Sequence, residues 1–175
     1  MKKICIMGLL ALTLMSCHRS NEYDLCVYGG SASGVMTAYS AACRGLKVVV
    51  VEPTSRLGGL TTGGLGLTDI GNKQVVKGLG LDFYRKVGAH YGTLEQWVFE
   101  PSVALKIIED YASHPGITVV KNHHICSVSK EGTAIRSISV ADGADTLSFS
   151  AKCFADCSYE GDLLALAGVS YHAGR

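Results

Sequence analysis

The stretch from Tyr23 to Glu52 constrains this chain most. A short, largely apolar run reaches Tyr28, Gly29-Gly30-Ser31-Ala32-Ser33-Gly34 follows, a helical stretch runs to Arg44, and Leu46-Lys47-Val48-Val49-Val50-Val51-Glu52 comes after Gly45. The order is strand, glycine turn, helix, strand. Four consecutive valines mark a strand buried on both faces, as in a parallel sheet covered on each side. Gly45 suits a helix stop. Gly34 and Ala38 share one helix face and are small enough for the helix to lie close on the first strand. The whole unit spans about 30 residues, the length of a mononucleotide-binding βαβ.

Such a turn binds phosphate, because the start of the helix presents free N–H groups and a partial positive charge to a diphosphate. Gly29 makes the turn and Gly34 allows close packing. Ser31 holds the middle place of the G-x-G-x-x-G pattern, where its Cβ narrows the approach to phosphate; Gly30 or the Ser31 hydroxyl can compensate. Glu52 closes the second strand, where a carboxylate accepts hydrogen bonds from adenosine ribose hydroxyls and repels a 2′-phosphate. NADP is therefore disfavoured, while flavin and NAD stay open.

Beyond Glu52, the segment Leu57 to Gly71 holds six glycines in fifteen residues. Such a segment makes no stable helix or strand, and it is too apolar for a solvated linker. It reads as backbone brought close to a ligand. Further on, helices are expected over Val75 to Tyr91 and from Glu100-Pro101-Ser102 through Tyr111. Strands are expected over Ile117 to Lys121, His124 to Ser129, Ala134 to Val140 and Thr146 to Ala155, and a helix over Leu163 to Ala167. Asp156, Gly161 and Asp162 follow the last strand and precede the last helix, a position from which a carboxylate reaches ligand in an open α/β sheet; the competing role is helix capping by Ser158 or Asp162. His123 and His124 point to opposite faces of a strand and cannot chelate together.

Together, Gly29 to Gly34, Leu57-Gly58-Gly59-Leu60-Thr61-Thr62-Gly63-Gly64 and Asp156-Cys157-Ser158-Tyr159-Glu160-Gly161-Asp162-Leu163 resemble the bacterial FAD-dependent oxidoreductases. Glu52 with Arg56-x-Gly58-Gly59 resembles the acidic residue and R-x-G-G of glutathione-reductase-like FAD proteins. The resemblance runs from about Tyr23 to the end. It implies an α/β Rossmann-like FAD/NAD(P)-binding domain over residues 23–175, with a three-layer parallel sheet and a small antiparallel β layer. The cofactor it implies is FAD. The diphosphate would lie on Gly29, Gly30, Ser31, Ala32, Ser33 and Gly34, and the ribose on Glu52. The flavin side would lie near Arg56, Gly58, Gly59, Thr61, Thr62 and Gly63, with Asp156, Gly161 and Asp162 nearby. The implied activity is hydride transfer from a small-molecule or carbohydrate-type substrate to FAD. The resemblance also implies a longer protein, with a substrate-covering region beyond Arg175.

The start of the chain reads as an address. Lys2 and Lys3 precede the apolar run Ile4 to Met15, which is too short to span a bilayer. Ser16-Cys17 resembles the lipobox of bacterial lipoproteins, so residues 1–17 are expected to be a signal, Cys17 the lipidated residue and residues 18–22 a tether. An exported, membrane-anchored lipoprotein follows. Beyond the signal the cysteines are Cys26, Cys43, Cys126, Cys153 and Cys157, an odd number that leaves at least one thiol unpaired within the chain. Zinc-type spacing is lacking, and no metal is expected. With 16 Lys plus Arg against 15 Asp plus Glu and no basic stripe, nucleic acid is not a partner.

Overall fold

The computed structural model describes residues 22–174. The expected signal, the lipobox Cys17 and all but the last residue of the tether lie outside the described residues. Among the described residues, no helix is long and apolar enough to cross a membrane.

The βαβ unit forms as the sequence dictates: β1 (Glu22–Tyr28), α1 (Ala32–Ala42) and β2 (Val48–Glu52). Next come a single helical turn, α2 (Leu60–Gly63), then α3 (Gly78–Tyr91) and α4 (Pro101–Ala112). Four strands follow, β3 (Ile117–Lys121), β4 (His124–Glu131), β5 (Ala134–Ala141) and β6 (Thr146–Asp156), and α5 (Asp162–Leu166) comes last. The glycine-rich segment departs from expectation: Leu60 to Gly63 is helical, and Leu67 pairs with Val98 in an isolated antiparallel bridge. The α3 helix begins at Gly78 rather than Val75, because Lys73–Val75 form a separate 3-10 turn.

All six strands form one sheet in the order β3-β2-β1-β6-β5-β4. The four strands β3, β2, β1 and β6 run parallel, and β5 and β4 run antiparallel to their neighbours. The antiparallel part is not a separate sheet, because β6 belongs to both: Thr146 to Ser150 pair with β5, and Ser150 to Asp156 pair with β1.

Alternation along β1 and β2 sends side chains to two faces. Val27, Val48 and Val50 pack with Ala38 and Ala42 of α1. Cys26, Tyr28, Val49 and Val51 pack with Ile138, Val140, Phe149 and Leu163, so the antiparallel strands and α5 cover the face opposite α1. All five residues of β2 are buried, as a run of valines requires. A further cluster, including Val35, Leu57, Phe83, Val87 and Ile108, joins α1, α3 and α4.

Candidate cofactor-binding site

Strand order reverses between β1 and β6, and the carboxyl ends of β1, β2 and β6 open on one cleft. Ligands of open α/β sheets bind at such switch points. The cleft holds a cavity of about 260 Å³ between the β1–α1 turn, the end of β2 and the loop after β6, lined in part by Gly29, Ser31, Glu52, Gly59, Cys157 and Tyr159. Clefts that hold drug-sized ligands run from about 300 to 1,000 Å³. A second hollow of about 200 Å³, lined by Ala32, Ser33 and Thr61 among others, lies at the same helix start. A larger depression, about 540 Å³, lies elsewhere, between α3 and α4.

The glycines of the turn are fixed by chain packing. A Cβ on Gly34 would stand 2.0 Å from the Gly29 carbonyl oxygen, and one on Gly29, whose φ is +95°, would stand 2.5 Å from the Cys157 carbonyl carbon. Ser31 sits where the pattern has its middle glycine. Its hydroxyl donates to the Cys157 carbonyl at 2.8 Å and accepts from the Gly34 N–H at 3.3 Å, so it caps α1 and ties the turn to the loop after β6. The hydroxyl is therefore engaged within the fold. Ser33 contacts it hydroxyl to hydroxyl at 2.9 Å.

Glu52 is buried at the end of β2. Its Oε2 accepts from the Gly30 N–H at 2.6 Å, and its Oε1 accepts from the Thr54 N–H at 2.8 Å and the Thr54 hydroxyl at 2.7 Å. The carboxylate lines the cavity while holding the turn in place. The R-x-G-G loop is likewise braced internally. Gly58 donates its N–H to the Gly30 carbonyl at 2.7 Å. The Thr62 hydroxyl, fully buried, donates to the Leu57 carbonyl at 2.5 Å, and Arg56 Nε donates to the Thr62 carbonyl at 2.8 Å. The Thr62 hydroxyl and Arg56 Nε thus brace the loop from within. Gly63 is exposed, with open space where a Cβ would be.

Asp156 is also committed. Its Oδ1 accepts from the Ser158 N–H at 3.0 Å and hydroxyl at 2.6 Å, and its Oδ2 from the Leu164 N–H at 2.8 Å. Ser158 Oγ accepts in turn from the N–H groups of Gly161 and Asp162. Asp156 and Ser158 thus satisfy N–H groups at the start of α5, and the exposed Asp162 lines the cavity. Burial pushes the Cys157 thiol pKa up, so it stays neutral beside the cleft. Sequence reasoning missed Thr54, whose place two residues after Glu52 was its signal, and Tyr159, which the third motif contains but to which no role was given.

The residues fit the adenosine diphosphate part of FAD: a helix start for the diphosphate, a carboxylate at the end of β2 for the ribose, and a cavity between them. Solved structures share the fold. L-Proline dehydrogenase from P. horikoshii is 13% identical with a TM-score of 0.66 over 89% of this chain and 58% of that one. Glycerol-3-phosphate dehydrogenase from Bacillus halodurans, solved with FAD, is 15% identical with a TM-score of 0.62 over 87% of this chain and 37% of that one. THI4 from Thermovibrio ammonificans is 21% identical with a TM-score of 0.58 over 85% of this chain and 64% of that one. The chain thus spans under two thirds of each. No curated protein matches the sequence. A family model described as FAD dependent oxidoreductase matches residues 24–175, and the chain belongs to that family, whose cofactor is FAD.

Proposed function

We propose that this chain is the FAD-holding portion of a flavoenzyme that takes a hydride from a small-molecule or carbohydrate-type substrate. The observation that supports it is the cavity where the start of α1, the Glu52 carboxylate and the β1/β6 switch point meet. FAD supplies the two-electron redox chemistry when bound, and the chain's own residues bind and orient it. The start of α1, through the Ala32 and Ser33 region, faces the diphosphate; Glu52 accepts from the ribose; Thr61 and Gly63 lie toward the flavin. Three carboxylates, Glu52, Glu160 and Asp162, line the cavity and disfavour an added 2′-phosphate. Purified protein should carry a flavin absorbance spectrum and bind FAD in preference to NAD, with NADP no better than NAD. A colourless chain that prefers NAD would establish the nicotinamide reading instead.

We further propose export and lipidation at Cys17, on the strength of Lys2-Lys3, the Ile4 to Met15 run and Ser16-Cys17. A fatty-acid analogue should label the wild-type chain in membranes, and equal labelling of Cys17→Ala would refute the lipobox.

A further inference from the structure

Two segments flank the β1–α1 turn. On one side the Gly58 N–H donates to the Gly30 carbonyl at 2.7 Å, and on the other the Ser31 hydroxyl donates to the Cys157 carbonyl at 2.8 Å. Two residues past Cys157, the side chain of Tyr159 reaches back to the opposite flank. There the N–H of Leu60, two residues past Gly58, donates to the Tyr159 hydroxyl at 2.7 Å. The tyrosine is 62% exposed, yet it lines the same cavity as Gly29, Ser31 and Glu52. Gly59 makes room for it: a Cβ there would stand 2.2 Å from the hydroxyl oxygen. Tyr159 is a crossbar from the loop after β6 to the R-x-G-G loop, and it shares its cavity with the β1–α1 turn.

We propose that Tyr159 is a strap over the diphosphate of the bound dinucleotide, and that its hydrogen bond with Leu60 must open for the cofactor to enter or leave. The inference rests on the FAD reading above. FAD is bulky at both ends, with adenosine on one and the isoalloxazine on the other. It cannot thread lengthwise beneath a bar held at both flanks, so exchange waits on opening. One uncharged hydrogen bond sets the opening equilibrium, and losing it raises the open fraction about three- to tenfold.

The test is FAD exchange by the full 175-residue chain, followed by stopped-flow flavin fluorescence. Tyr159→Phe should raise the association and dissociation rates together by about three- to tenfold and leave Kd within about twofold. ADP, bulky only at its nucleoside end, should exchange at the same rate from both proteins. Tyr159→Ala, checked for folding by circular dichroism, should exchange FAD at least as fast as Tyr159→Phe. Unchanged FAD rates in a folded variant overturn the strap. So does faster dissociation with unaltered association, which is the mark of an ordinary contact, and so does equal acceleration of ADP. An equilibrium titration in which wild type binds no FAD defeats the FAD reading itself, and is seen before any rate is compared.

Discussion

The Glu52 carboxylate accepts a 2.6 Å hydrogen bond from the Gly30 N–H, so the end of β2 holds the turn after β1. Its other oxygen is engaged by Thr54. The residue proposed to accept from ribose is therefore also a structural part of the turn proposed to bind diphosphate, and its removal should disturb both.

Glu52→Gln tests this. Whichever way the amide lies, its NH₂ meets a backbone N–H, of Gly30 on one side or Thr54 on the other. Two donors then face each other, buried on the Gly30 side and part-buried on the Thr54 side, at a cost of about 1 to 3 kcal/mol. The thermal midpoint and FAD affinity should fall together, measured by circular dichroism and by titration. A variant that keeps its midpoint and loses only FAD shows that the carboxylate serves the ribose alone.

The glycines separate packing from backbone freedom. Gly34→Ala would place a Cβ 2.0 Å from the Gly29 carbonyl oxygen, and backbone there cannot move without shifting α1 off β1. The loss should be about 3 kcal/mol or more. Gly45→Ala meets nothing within 4 Å, and only its φ of +82° is strained, at about 1 to 2 kcal/mol. Urea unfolding of the two variants ranks them; equal losses would mean that the α1 contact relaxes.

The βαβ unit was legible because its determinants are local: the Gly29 to Gly34 turn, the Val48 to Val51 run and Gly45 specify it without knowledge of distant contacts. The commitments of Ser31, Asp156 and Thr62 were not. Ser31 bonds a carbonyl 126 residues away, and Asp156 reaches across to Leu164. A hydroxyl or carboxylate beside a predicted ligand reads the same in sequence whether it faces the ligand or the chain. The single sheet was hidden for a related reason, since β6 must be long enough to serve two neighbours, and length alone does not say which.

Asp156→Ala should loosen the loop after β6 without touching the sheet. It removes acceptors for the Ser158 N–H and hydroxyl and for the Leu164 N–H, which lies in the first turn of α5 and has no partner within the helix. A cost of about 1 to 3 kcal/mol is expected. Amide hydrogen exchange should speed up at Leu164 while β1 and β2 keep their protection. Unchanged exchange at Leu164 would show that α5 is held by Leu163 packing alone.

The thiols should separate by burial. Cys26 is fully buried between β2 and β6, and burial pushes its pKa up to about 12, so at pH 8 almost none is thiolate, the reactive form. Cys157, half-buried with its pKa also raised by burial, should react slowly. Cys43, Cys126 and Cys153 are exposed free thiols and should react first. Iodoacetamide labelling of the native chain, read by peptide mass spectrometry, should modify those three, then Cys157, and reach Cys26 only after urea unfolding. Labelling of Cys26 at the rate of Cys43 would mean that the pairing of β1 with β2 and β6 opens readily, and the cleft at their carboxyl ends could then not be a preformed nucleotide site.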